Sequence, residues 1–306
     1  MAGALFLLAS LCASAQQPLE PKPLPAPAEW NNWIGEYGRD SDVLLILENH
    51  GKLTALLKSH EYDSSVLRFK RDANGRATQV SLRGAMYARR FLVAFRIEAS
   101  KPLAQLKREA LAATPPRESG EFRKPDLVEI ARLDPSIRLD IRYATTNNFM
   151  SAAFYDAPRT FLQRPAAEAL ARAQRKLNAL GYGLLIYDGY RPWYVTKMFW
   201  DATPEDKRVF VADPKEGSRH NRGCAVDLTL VGLKTGKPVE MTGAYDEFSD
   251  RSYADYPGGT SLQRWDRKLL RRAMQEQGFT VYEAEWWHFD YKDWKRYPIL
   301  NVPPPK

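Results

Sequence analysis

The chain has 306 residues with 44% hydrophobic and 12% aromatic content, enough apolar material for more than one packed core, which excludes bulk disorder. Its formal charge of +8 comes from dispersed lysines and arginines without a recognisable nucleic-acid motif, so no nucleic-acid partner is expected, only attraction toward anionic surroundings. The apolar run at its start is too short to span a bilayer, so no transmembrane segment is expected either.

That run, Ala4 to Cys12, ends in the small residues Ala13-Ser14-Ala15 and has the form of a signal peptide, residues 1–15, cut after Ala15. No Lys or Arg precedes it, a departure from the positive leader of such peptides. On this basis the protein is expected to be exported, periplasmic or secreted, in a bacterial envelope. Leu11 before Cys12 fits lipidation poorly. Once the segment is removed Cys224 is the only cysteine, so no internal disulfide can form and packing must carry stability.

Residues 16–29 are rich in proline and are expected to be a tether, with folding beginning near Trp30. From residue 30 to 100, the runs Val43 to Leu47, Leu53 to Leu57, Val66 to Phe69 and Phe91 to Ile97 are separated by the turn signals Asn49-His50-Gly51 and Asn74-Gly75. This pattern predicts a small antiparallel β domain. Its Gly35-Glu36-Tyr37 and Asn49-His50-Gly51-Lys52-Leu53 resemble small lipocalin-like β modules appended to some bacterial envelope hydrolases. Such a module implies cell-wall contact or substrate gating, or else a packing appendage without a ligand. His50 and His60 are expected at its surface.

Residues 101–124 contain a helix with apolar positions at Leu103, Leu106 and Ala110, followed by a linker from Thr114-Pro115-Pro116. Residues 125–306 then form the second domain. Pro165 opens an amphipathic helix through Leu170, Ala173, Leu177 and Leu180 that Gly181 closes. Leu184 to Tyr187 is a buried strand, and the turn Asp188-Gly189 places Arg191 at a strand end. Further strands are expected over Ala225 to Leu230 and Thr280 to Tyr291, with a helix from Leu262 to Gln277 capped by Ser261 and ended by Gly278.

Two segments carry the chemistry. Ser218-Arg219-His220-Asn221-Arg222-Gly223-Cys224-Ala225-Val226-Asp227 and Glu285-Trp286-Trp287-His288 place two imidazoles and two carboxylates in a chain with only four histidines. A hydrolytic zinc ion needs three nitrogen or oxygen ligands, an open position for water and a carboxylate to take the water's proton. His220, Asp227 and His288 can supply the ligands for one Zn2+ per chain, with Glu285 as the base. Cys224 as a fourth ligand would close the position that water needs, so it is read as a small buried residue. The fold class expected is α+β: a central, mostly antiparallel sheet flanked by helices and carrying one zinc site, preceded by the small all-β domain.

Strand parity complicates that sheet. Ligands at 220 and 227, or a base and ligand at 285 and 288, would point to opposite faces of ideal strands. A turn at Gly223 and a bulge or strand end near Trp286 are therefore predicted. Trp286 and Trp287 could wall the pocket, although their alternation makes at least one a core residue. Arg191 can stabilise an oxyanion, and it can also pair locally with Asp188; the two roles are compatible.

The motif Ser-x-His-x-x-Gly-x-Ala-x-Asp followed by Glu-x-x-His resembles the zinc D-alanyl-D-alanine dipeptidases of the vancomycin-resistance type, relatives of the zinc D,D-carboxypeptidases. The resemblance covers about residues 125 to 300. It extends to Tyr143-Ala144-Thr145-Thr146-Asn147-Asn148-Phe149, to Asp188-Gly189-Tyr190-Arg191-Pro192 and to Met241-Thr242-Gly243-Ala244-Tyr245-Asp246. It implies zinc on His220, Asp227 and His288, catalysis by Glu285 and Arg191, and a substrate α-ammonium on Asp246. Ser218 and Tyr143 match positions lining the family's substrate site. The function implied is hydrolysis of D-Ala-D-Ala in peptidoglycan turnover or salvage. The alternatives are a zinc D,D-carboxypeptidase acting on longer stem peptides and a non-catalytic zinc-binding module.

Overall fold

Short alternating apolar runs joined by tight turns make the upstream region of the computed structural model a set of hairpins. The structure describes residues 19–91, 96–99 and 101–303. The expected signal segment, Cys12, and residues 92–95 of the run Phe91 to Ile97 lie outside the described residues. Strands β1 (Gly35–Arg39), β2 (Asp42–Asn49), β3 (Lys52–Leu57) and β4 (His60–Asp63) pair in order as one antiparallel sheet. Strands β5 (Leu67–Arg71), β6 (Ala77–Leu82) and β7 (Ala85–Ala88) form a second. Tyr37, Leu44, Ile46 and Leu53 from the first meet Val80 and Leu82 from the second in one core. His50 and His60 are exposed.

The described part of the proline-rich segment is not a free tether. Leu19 packs on the downstream core, the Glu20 carbonyl accepts from Trp265 Nε1 at 2.8 Å, and Lys22 Nζ donates to the Tyr182 hydroxyl at 2.6 Å.

Helix α1 (Leu103–Ala112) follows, and then β8 (Leu127–Glu129), the single turn α2 (Ile130–Leu133), β9 (Arg138–Leu139) and β10 (Phe161–Gln163). Pro165 lies in the first turn of α3 (Arg164–Asn178), where its missing N–H costs nothing, and Gly181 ends the element at φ 83°. β11 (Tyr182–Asp188) is buried along its whole length. Helix α4 (Trp193–Ala202) was not anticipated from the sequence: Trp193, Val195, Met198 and Phe199 are buried, and its partly exposed face mixes Tyr194 and Trp200 with the Lys197–Asp201 ion pair, which blurs the polar stripe of an amphipathic helix. It packs against α1, burying Leu106 and Ala110 with Phe199 and Tyr143 in an aromatic cluster.

β12 (Ala225–Gly232), α5 (Ser261–Gln275), β13 (Phe279–Tyr282) and β14 (Glu285–Tyr291) complete the fold. The span Thr280 to Tyr291 is therefore a hairpin of two strands rather than one strand. The cap of α5 is Thr260, one residue before the expected Ser261: Thr260 Oγ1 accepts from Gln263 N at 3.1 Å, and Gln263 Oε1 accepts from Thr260 N at 2.9 Å. The five-stranded sheet has the order β13-β14-β12-β11-β9, antiparallel except for β11 with β9. α3 and α5 lie against it, and Val226, Leu228 and Leu230 of β12 join Leu170, Leu177 and Leu270 in the main core. By strand alternation Asp227 and Thr229 point to the opposite face, and that face carries the site.

Candidate metal centre

Asp227 stands directly opposite His288 in the β12–β14 register, and opposite Asp188 across a register shift in β11. Three neighbouring strands thus deliver Asp188, Asp227 and His288 as one row. His220 joins them from a single 3-10 turn, Arg219–Arg222, whose capping box joins Ser218 to His220 and Asn221. The turn ends at Gly223 with φ 65°, a left-handed conformation that glycine adopts without strain. This is the break that strand parity required. The second irregularity is also present: Val281 pairs with Phe289 but Tyr282 with Glu285, so residues around Trp286 bulge from β14 and bring Glu285 toward His288.

Oδ1 of Asp227 lies 3.3 Å from His220 Nε2 and 3.0 Å from His288 Nδ1, and these three ligand atoms all fall within 4.8 Å of one another. The far side of each ring is already committed. His220 Nδ1 is 2.7 Å from the Gly189 carbonyl and His288 Nε2 is 3.0 Å from Asp290 Oδ1, which assigns the ring protons to those nitrogens. With both rings neutral, as metal binding requires, they present two lone pairs and a carboxylate oxygen to a common point, and a cation fits such a set. Soft sulfur is absent from it, since Cys224 is buried in the main core, where burial pushes its thiol up to about 12.

Glu285 Oε2 stands 3.8 Å from His288 Nδ1, beside the convergence point. Its side chain is 25% exposed, toward the pocket, yet enclosure in the cleft raises its pKa to about 7, with the negative Asp227 adding to the rise and His288 opposing it. Burial alone would push His288 down, but Asp227 and Asp290 outweigh it and hold the imidazole well above its usual range. Asp227 is driven the other way: burial would raise it, and the two histidines pull it far below the ordinary carboxylate range.

All eight residues singled out in the sequence, His220, Asp227, His288, Glu285, Arg191, Asp246, Ser218 and Tyr143, line one cavity. Arg191 is buried and gives Nε and Nη2 to Asp188 Oδ2 at 3.0 and 2.7 Å, while Nη2 stays 4.0 Å from Asp227 Oδ2. The guanidinium also lies over the rings of Tyr143 and Phe199, at 5.1 and 4.9 Å. Its local pair and its place in the pocket therefore coexist. Tyr143 donates its hydroxyl to Asp246 Oδ2 at 3.0 Å. Burial, followed by the charges of Asp227 and Glu285, pushes Asp246 well above its normal range, so a substrate cation would be welcome there. Ser218 lines the cavity, but its hydroxyl accepts the His220 N–H at 3.2 Å and so serves the turn. Trp286 and Trp287 are both core residues.

Sequence reasoning gave no role to Asp290, Tyr245 or Phe248. Tyr245 donates its hydroxyl to Asp227 Oδ2 at 3.1 Å, and Phe248 closes the apolar side of the cavity with Phe149 and Phe199. Only Asp290 had a readable signal, since it follows His288 by two on a strand and must share its face.

A family model described as D-ala-D-ala dipeptidase matches residues 123–302. The chain is 35% identical over 175 residues to the D-alanyl-D-alanine dipeptidase of Escherichia coli, covering 57% of this chain and 89% of that protein. It is 36% identical over 178 residues to the protein of the same name from Enterococcus faecalis (51% and 87% covered), and 35% identical over 186 residues to that of Streptomyces coelicolor (55% and 92%).

Proposed function

The chain belongs to the D-Ala-D-Ala dipeptidase family of metallopeptidases, and from that premise we propose that it hydrolyses free D-Ala-D-Ala with a zinc ion held by His220, Asp227 and His288. The observation that carries the reading is the convergence of those three ligand atoms next to Glu285, in a cavity that also holds Asp246. When bound there, zinc supplies Lewis acidity, which yields a nucleophilic water near neutral pH and polarises a carbonyl.

The remaining work falls to the chain. Glu285, whose carboxyl enclosure raises to about 7, takes the proton of the attacking water on its carboxylate and returns it to the leaving amine. Arg191 faces the cavity with its charge fixed by Asp188, so it can stabilise an oxyanion without reorganising. Asp246 binds the substrate's α-ammonium, with Tyr143 holding the carboxylate in place. The aromatic side formed by Phe149, Phe199 and Phe248 suits small apolar side chains and excludes water.

Export to the bacterial envelope, supported by the form of residues 1–15, would place this activity in peptidoglycan turnover or salvage. No helix among the described residues is long and apolar enough to cross a membrane. The test is release of free D-Ala by the zinc-loaded protein from D-Ala-D-Ala and, in parallel, from its N-acetylated form. Hydrolysis of the free dipeptide alone is expected. Efficient cleavage of the blocked substrate would instead make the enzyme a D,D-carboxypeptidase, and silence on both with zinc bound would leave a non-catalytic metal site.

A further inference from the structure

The upstream β sheets place two buried carboxylates against the catalytic region. Glu36 on β1 is 6% exposed and Glu48 on β2 is 2% exposed. Glu36 Oε1 accepts the Tyr256 hydroxyl at 2.8 Å. Glu48 Oε2 accepts the Ser261 backbone N–H at 2.6 Å, at the first turn of α5, and its own N–H reaches the Gly259 carbonyl at 3.1 Å. Both contacts grip the stretch Tyr256 to Ser261, the C-terminal arm of the long loop between β12 and α5.

Asp246 sits in that loop, in the left-handed region at φ 55°, which aspartate enters more readily than most non-glycine residues but still at some cost. The loop's two arms are tied by one buried guanidinium: Arg267 gives Nη1 to Thr242 Oγ1 at 2.7 Å and Nη2 to the Tyr256 carbonyl at 2.8 Å. Arg251 adds a bond from Nε to the Thr242 carbonyl at 2.9 Å. A continuous set of hydrogen bonds therefore runs from Glu36 through Tyr256 and Arg267 to Thr242, four residues before Asp246.

We propose that the β module is a positioning element for substrate recognition: through Glu36 and Tyr256 it holds the loop that presents Asp246 to the substrate's ammonium. Glu36 and Tyr256 are positioning residues, since neither lines the catalytic cavity. The family match begins at residue 123, so Glu36 is supplied by a part of the chain outside it. The proposal rests on the reading of Asp246 given above.

The experiment compares the full chain with Tyr256→Phe, Glu36→Ala and the double variant, all zinc-loaded, by amide hydrogen exchange over residues 241–251 and by steady-state hydrolysis of D-Ala-D-Ala. Either single change is expected to speed exchange in the loop and raise KM by about tenfold, with kcat within about twofold and zinc content unchanged, as loss of one hydrogen bond to a buried charged group implies. Glu36→Ala also removes the ion pair of Glu36 Oε2 with Arg90 Nε at 3.3 Å, so the double variant should match Glu36→Ala, the bond to Tyr256 being already cut there. Glu36→Gln, which keeps an oxygen acceptor, should restore both readouts. Unchanged exchange, faster exchange with unchanged KM, or single effects that multiply in the double variant would each overturn the proposal. If the unaltered protein binds zinc but leaves D-Ala-D-Ala intact, the proposed function fails. The exchange data then still decide whether the module holds the loop.

Discussion

His288 gives its Nε2 proton to Asp290 Oδ1 at 3.0 Å, and this bond turns Nδ1 toward Asp227 and His220. The guanidinium of Arg219 lies 3.4 Å from the other Asp290 oxygen, so the carboxylate is itself held in place. An imidazole oriented and made more basic in this way is a stronger metal ligand. Asp290→Asn keeps the shape but removes the charge. It is expected to weaken zinc binding by about 10- to 100-fold, measured by competition with a chromophoric chelator, while the fold persists.

As the proposed base, Glu285 should set the acidic limb of the reaction. A base must be deprotonated to act, so kcat/KM should rise with pH and level off above the pKa of the carboxyl, which enclosure has raised to about 7. A bound cation beside it favours the carboxylate, so the limb should fall at or somewhat below that value in the zinc-loaded enzyme. Glu285→Gln should lower kcat by at least about 100-fold with zinc retained, and the limb should vanish from whatever activity remains. A variant with full turnover would remove Glu285 from the role of base.

Asp246→Asn tests recognition of the amine. The amide keeps a partner for the Tyr143 hydroxyl but has no charge to set against an ammonium. KM for the free dipeptide should rise by at least about tenfold, the loss of one charge-assisted bond. The preference for free over N-acetylated substrate should shrink in the same measurement. An unaltered preference would place the ammonium elsewhere.

Gly223 bears on stability more than on chemistry. A Cβ there would meet Leu127 Cδ2 at 2.5 Å, and the residue has φ 65°. Gly223→Ala should cost about 1–3 kcal/mol in urea unfolding. Because the turn carries His220, zinc affinity should fall with it.

What the sequence alone determined is the chemistry and its order along the chain. The donor types and spacing of His220, Asp227, Glu285 and His288 point to a hydrolytic metal site, because few other arrangements need two imidazoles, a carboxylate ligand and a spare carboxylate. Parity went further and required breaks at Gly223 and near Trp286, since alternation on a strand is a local property of the backbone. The helices α3 and α5 were legible for a similar reason: an apolar stripe closed by glycine needs no distant partner to be recognised. α4 was not, because its partly exposed face carries Tyr194 and Trp200 beside Lys197 and Asp201, so aromatic residues on both faces blur the periodic signal. The hairpin at Thr280 to Tyr291 was also missed, since two short paired strands and one long strand share the same alternation.

Only the tertiary structure decided what depends on residues far apart in sequence. It set Asp290 behind His288 as a proton acceptor and Tyr245 on Asp227, and it enclosed Glu285 enough to raise its carboxyl. It docked Leu19 to Lys22 on the catalytic half where composition suggested a loose tether. It also brought Glu36 to Tyr256 across 220 positions of the chain. A buried polar group must find its partner somewhere in the folded molecule, and which partner it finds is set by packing, which no local pattern encodes.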